Sequence, residues 1–242
     1  MAQRIGRRLS SSAKNFTMTP PQHQSERLFA SATAHALNNI TATLYAGLDS
    51  LEAARSNNQY PRLLAILQAA CGKSQALSAA NLLFASTFAA AESSEKSFVL
   101  DSGVQESLYE AVVEVAQVTI KTTWPSSPPT SLTMDIGKLK AVWVCAAALL
   151  RRSLKPDEPL SAEMKLVQKD KLTCVLELGL HGSAALPAQS EWLDDAHPCG
   201  MALIHTLASP WAGGLQINQT QTSLVICAAA HRSHEATPAL PN

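Results

Sequence analysis

The sequence predicts an α+β fold, with a long N-terminal helical hairpin followed by a mixed layer of helices and strands. Three observations carry this expectation. No proline interrupts residues 25–55, and apolar residues recur there at spacings of three and four. A second stretch of the same kind follows a polar turn and runs to about residue 90. After residue 97, short strand-like runs alternate with helical ones and are punctuated by glycine and proline.

Ser25 and Glu26 mark a helix start. Leu37, Ile40, Leu44, Leu48 and Leu51 form its apolar stripe. Ser56-Asn57-Asn58-Gln59-Tyr60 reads as a turn, and Pro61 suits the first position of the second helix. That helix places Leu63, Leu67, Ala70, Leu77, Phe84 and Phe88 on one side. Two antiparallel helices cannot bury both stripes by themselves, so two hairpins are expected to pair as a dimeric four-helix bundle.

Beyond the polar linker Ser93-Ser94-Glu95-Lys96, a short strand is expected at 98–100 and a helix at 103–118, then a proline-rich loop from Trp124 to Pro129. A nearly all-apolar helix follows at 138–152, with Trp143 expected in the core. Strands are expected at 164–168 and 172–178, irregular chain at 179–199 and a helix at 200–208. A turn at Gly213-Gly214 leads into a final hairpin at 215–218 and 223–229, and Trp211, like Trp143, is expected to fill the second domain's core or its interdomain face. The expected organisation is a disordered basic tail (1–24), the hairpin (25–92), a second domain (97–230) and a flexible tail (231–242).

Lysine plus arginine and aspartate plus glutamate both number 19, so no basic face exists for a nucleic-acid partner. No apolar run reaches the length of a membrane span. Five cysteines (Cys71, Cys145, Cys174, Cys199, Cys227) are scattered without a C-x-x-C pair, which argues against a zinc site or a disulfide framework and suits a reducing cytoplasm. His197, His231 and His234 lack a third metal ligand at helpful spacing, and His205 is expected on a helix surface. No G-x-S-x-G elbow is present.

One histidine stands apart. With Leu37 at zero on a helical wheel, His35 falls at about 160° and Asn39 at about 200°. The two are stacked neighbours on the face away from the apolar stripe. Ser31, Ala32, Asn38, Ala42 and Ala46 surround them, mostly small residues, and make up the expected partner-binding face. A neutral imidazole there is open to a partner protein and is a competent nucleophile towards phosphorus.

Ala34-His35-Ala36-Leu37-Asn38-Asn39-Ile40 resembles the phosphoacceptor box of two-component histidine kinases of the H-x-L-N-N subgroup. Leu63 to Leu67 and Asn81-Leu82-Leu83-Phe84-Ala85-Ser86 resemble that family's second dimerisation helix. Met134-Asp135-Ile136-Gly137-Lys138-Leu139 is similar to the lead-in of its ATPase domain. Gly200-Met201-Ala202-Leu203-Ile204, with Leu207-Ala208 and Gly213-Gly214, resembles that domain's glycine-rich helix and turn. The resemblance implies a C-terminal α/β sandwich of degenerate ATPase type.

Departures shape what the resemblance implies. The helix that carries magnesium- and phosphate-holding asparagines in active kinases has Cys145 and Leu149 at the matching positions, and hard cations want oxygen ligands. The D-x-G-x-G adenine loop is replaced by Leu178-Gly179-Leu180-His181-Gly182, with no acid to pair with adenine. Ala36 stands where the family places an acidic base, whereas Asn39 keeps the amide that orients water for dephosphorylation. The expectation is a histidine phosphotransferase that binds no ATP and no metal. His35 would exchange a phosphoryl group with response-regulator receiver domains, whose own Mg2+ assists, downstream of a hybrid histidine kinase. Two alternatives are a receiver phosphatase using Asn39 and a non-catalytic scaffold that binds a receiver or a kinase.

Overall fold

A computed structural model describes residues 20–54, 59–88, 96–116, 119–123, 131–155, 158–170, 173–183, 185–208 and 215–232. The expectations for most of the basic tail, the linker, the proline-rich loop, Trp211, Gly213-Gly214, His234 and residues 233–242 lie outside the described residues, as do those for the side chains of Phe88 and His231. The chain begins with the hairpin, α1 (Pro20–Ala54) and α2 (Tyr60–Phe88). The α+β layer follows: β1 (Lys96–Val99), α3 (Ser102–Ala116), β2 (Thr119–Thr123), β3 (Ser131–Met134), α4 (Ile136–Ser153), β4 (Leu160–Gln168), β5 (Thr173–Gly182), α5 (Gln189–Trp192), α6 (Pro198–Ala208), β6 (Leu215–Gln219) and β7 (Ser223–Arg232). The expected α+β architecture is what the chain adopts.

Seven strands form one sheet in the order β1-β3-β7-β5-β4-β2. β6 shares an edge of β7 with β3: it pairs Leu224 to Ala228, and β3 pairs His231 and Arg232. All pairings are antiparallel except β2 with β4. Along β7, buried Leu224, Ile226, Ala228 and Ala230 alternate with half-buried residues, the pattern of a sheet with one face on the core.

α4 is buried almost all round, from Leu139 through Leu150, including Trp143 as expected. Asp135 starts this helix: its side chain accepts a hydrogen bond from the Lys138 N–H at 2.9 Å, satisfying a donor that the first turn leaves free. α2, α3 and α6 pack on α4. The second half of α2 therefore belongs to two structures at once, pairing with α1 and covering α4 and α6. Small residues at Ala70, Gly72, Ala76 and Ala80 permit this approach; at Gly72 an added Cβ would sit 2.8 Å from the Glu114 carbonyl oxygen of α3. Leu83 and Phe84 join Leu139, Trp143 and Leu203 in one continuous core.

Several sequence expectations are corrected. β2 and β3 were not expected, and neither was the single turn α5. β5 continues to Gly182, into a segment expected to be irregular, because its ladder runs unbroken against both β4 and β7. Likewise β7 reaches Arg232 through its pairing with β3. On α1, Leu37 and Leu48 are 50% and 54% exposed within this chain. Ile40, Leu44 and Leu51 of the expected stripe are buried or half-buried, together with Phe29, Ala36 and Gly47, so the buried side is rotated by roughly 40° from the expected stripe.

Candidate functional site

His35 lies in the middle of α1, on a surface-exposed turn. A helix repeats its face every three to four residues, so Ser31 and Asn39 stand directly below and above it, with Asn38 beside them and Ala42 two turns on. Ser31, Asn38, Asn39, Ala42 and Ala46 are all exposed. Ala32 is the exception among the expected partner-binding residues: it is half-buried and packs against the core, because it lies nearer the α2-facing side. Thr43 Oγ1 donates to the Asn39 carbonyl oxygen at 2.8 Å and Ser50 Oγ to that of Ala46 at 2.7 Å. These bonds hold two short side chains down along the helix.

Among the described residues, no hydrogen-bond donor or acceptor holds the His35 ring. The imidazole is thus presented to solvent on a rigid helix, beside side chains too short to shield it. Ala36, at the following position, is half-buried and turned towards α2. Leu28, seven residues before His35 and 57% exposed, extends the same face with an apolar contact. Sequence reasoning missed it, although its wheel angle of about 180° was computable from the spacing alone.

Of the positions that the kinase resemblance singles out in the second half of the chain, Cys145, Leu149 and Leu178 are core, whereas His181 and Gly182 are half-buried. Leu149 and Leu178 are buried, and Leu178 pairs across the sheet with Met164 and Ile226, both buried as well. Cys145 is fully buried beneath α2 and has its sulfur 4.0 Å from the Ala76 carbonyl oxygen; Cys199, from α6, approaches the same oxygen at 3.4 Å. Burial pushes the Cys145 thiol up, and the neighbouring Cys199 side chain adds to this. Gly200 has a steric role: a Cβ there would collide with the Asp194 carbonyl oxygen.

The turn ahead of α6 is organised by polar contacts. The Asp194 carboxylate accepts from Arg152 at 2.9 Å and from the Ala196 N–H at 2.9 Å. His197 Nδ1 accepts from the Cys199 N–H at 3.2 Å, and among the described residues no group of three histidine, cysteine or acidic side chains converges. His205 departs from the expected surface role. It is half-buried, with its ring edge-on to Phe84, which in turn stacks on Phe29 at 3.8 Å. This aromatic file ties α1 and α2 to α6.

The guanidinium of Arg152, then the Ala196 N–H, holds the Asp194 carboxyl below the usual carboxylate range. A depressed folded-state pKa stabilises the fold above the unfolded value and is lost as pH falls through the folded one. Thermal melts taken from pH 5 down to pH 3 should therefore lose stability more steeply in the native chain than in Asp194→Asn. Equal slopes would show that the carboxylate does not hold this turn.

No protein-family model and no curated protein matches the chain. Similar solved structures do exist. A bacterial phosphotransferase superposes with a TM-score of 0.48 at 15% identity, covering 88% of this chain and 98% of its own. The histidine kinase AdeS of Acinetobacter baumannii gives 0.44 at 11% identity, over 83% of this chain and 98% of that one. A histidine kinase from Burkholderia phymatum gives 0.43 at 14%, over 89% and 100%. The chain is similar in fold to histidine kinases and to a bacterial phosphotransferase.

Proposed function

We propose that this chain is a histidine phosphotransferase of a two-component phosphorelay, working in the cytoplasm without ATP. The observation that carries this reading is the contrast between two regions. His35 is open among small side chains, whereas Cys145, Leu149 and Leu178, where the kinase resemblance would place nucleotide contacts, are packed core.

In the proposed reaction an unprotonated ring nitrogen of His35 attacks the phosphorus of a receiver's aspartyl phosphate. The nitrogen–phosphorus bond forms as the bond to the aspartate oxygen breaks, and the carboxylate leaves with the electron pair. A second receiver's aspartate reverses the step. Catalysis of this kind is mostly positioning and charge stabilisation, which the receiver's own magnesium site supplies. This chain contributes a rigid nucleophile and a docking face of Ser31, Asn38, Ala42 and Ala46, with Leu28 at its end.

The second apolar sector of the hairpin supports a homodimer. Leu37, Tyr45 and Leu48 on α1, with Leu64 and Leu82 on α2, are at least 41% exposed in the single chain. Pairing two hairpins would bury them as a four-helix bundle. Ala42→Trp or Ala46→Trp should weaken receiver binding and leave sedimentation as a dimer unchanged. Unaltered transfer rates in those variants would remove the alanines from the docking face.

The test is incubation with a phosphorylated receiver, reading acid-labile label on this chain and on His35→Ala. Label on the native chain alone supports the reading; label on neither, with phosphate released, opposes it. One observation favours a second reading: Asn39 exposes its amide one turn after His35, where it is placed to orient water. A phosphatase would lose activity in Asn39→Ala and keep it in His35→Ala.

A further inference from the structure

We propose that Cys145 and Cys199 are a peroxide-oxidisable thiol pair that closes to an intramolecular disulfide between α4 and α6 when α2 lifts away. The pair is independent of the phosphotransfer reading and lies in a different part of the molecule from His35.

Two thiols from helices far apart in sequence converge on one backbone oxygen, that of Ala76, at 3.4 Å and 4.0 Å. Each thiol has that one oxygen as its hydrogen-bond acceptor. Their surroundings are asymmetric. Cys145 sits in the middle of the buried helix α4, with no charge of its own element beside it. Cys199 is the second residue of α6, where the free N–H groups of a helix start favour negative charge. His197 and Arg152 also face it, and Asp194 anchors Arg152. The neighbouring Cys145 side chain, followed by the histidine and the arginine, outweighs burial and lowers the Cys199 thiol from its ordinary value. One activated thiol beside one protonated thiol is the arrangement of an attacking and a resolving cysteine.

The chemistry balances with hydrogen peroxide as the oxidant. The Cys199 thiolate attacks one peroxide oxygen; the O–O bond breaks, and the departing hydroxide takes up a proton as water. Cys199 is then a sulfenic acid. The Cys145 sulfur attacks it, the S–O bond breaks, and the leaving hydroxide becomes water with the Cys145 proton. Two thiols are oxidised to one disulfide and one peroxide is reduced to two waters.

Both thiols are sealed, at 0% and 1% exposure, and α2 covers them at Ala76, whose carbonyl oxygen both approach. Oxidation therefore reports how often α2 leaves α4 and α6. Exposed Cys71, on the open side of the same helix, is an internal reference with no such gate.

The test treats the reduced full-length chain with graded hydrogen peroxide, alkylates the remaining thiols and maps peptides by mass spectrometry without reduction. The expected result is a Cys145–Cys199 cross-link with loss of both alkylation sites. Cys145→Ser should instead leave Cys199 as a sulfenic acid trapped by a dimedone probe. Phe84→Ala, which loosens the seal, should cross-link several-fold faster. Where that variant does not fold, native-state hydrogen exchange across residues 76–84 of the unaltered chain replaces it, and the cross-linking rate should saturate at the opening rate. Both thiols remaining alkylatable at peroxide levels that oxidise Cys71 fully would overturn the proposal. So would cross-linking faster than α2 opens.

Discussion

Exchange of Gly200 for alanine is expected to unfold most of the chain at denaturant concentrations that the native protein tolerates. The added methyl carbon would collide with the Asp194 carbonyl oxygen and lie 2.6 Å from its carbon, both backbone atoms. No rotamer relieves such a contact, so either α6 shifts or the α5–α6 turn does. The turn is held by Arg152 and by the Ala196 N–H on the Asp194 carboxylate. α6 is held by Ala202, Leu203 and Thr206, all buried. Overpacking a core normally costs about 1–3 kcal/mol; a backbone collision with two anchored partners belongs in the exceptional range above about 4 kcal/mol. A domain of ordinary stability holds only about 5–15 kcal/mol in reserve. Gly47→Ala is the matched comparison. Its new methyl would meet the tip of Leu67 at 2.6 Å, a flexible side chain that can turn aside, so its cost should stay near about 1–2 kcal/mol. Urea unfolding of both variants checks the contrast, and equal midpoints would contradict the placement of α6.

The largest functional effect is expected from His35→Gln. Glutamine keeps a polar side chain of similar reach on an exposed helical position, so stability should change by less than about 0.5 kcal/mol. It has no nitrogen lone pair able to attack phosphorus, so transfer should fall by several orders of magnitude, to the receiver's own rate of phosphate loss. Receiver binding, measured by calorimetry, should persist, because the docking face is left intact. Loss of binding together with transfer would make His35 a contact rather than a nucleophile. Retained transfer would place the phosphoryl group elsewhere.

The hairpin was legible because helical periodicity is local: spacing alone placed His35 and Asn39 opposite the apolar residues, where the structure exposes them. The error on α1 was also local. Two apolar sectors adjoin on this helix, one against α2 and one containing Leu37, Tyr45 and Leu48, and a single averaged stripe merges them. The missed strands have a different cause. Thr119 to Thr123 holds one strongly apolar residue, Ile120, and becomes a strand through parallel pairing with residues 161–165, some 40 positions on. No window centred on that segment contains the partner that makes it a strand. The same holds for the last residues of β5, which pair with Leu224 and Ser223. The convergence of Cys145 and Cys199 on Ala76 joins three helices across 123 residues of sequence. What the cysteine spacing excluded, a C-x-x-C motif, says nothing about such a meeting.

The central claim is that phosphoryl groups cross this chain at one exposed imidazole and do not originate from a nucleotide held by it. The most direct measurement starts from one purified receiver carrying labelled phosphate and adds a second, unlabelled receiver. Label should reach the second receiver only when this chain is present, fail to do so with His35→Gln, and never appear on the chain after incubation with labelled ATP alone. Direct labelling from ATP, or undiminished relay through His35→Gln, would contradict it.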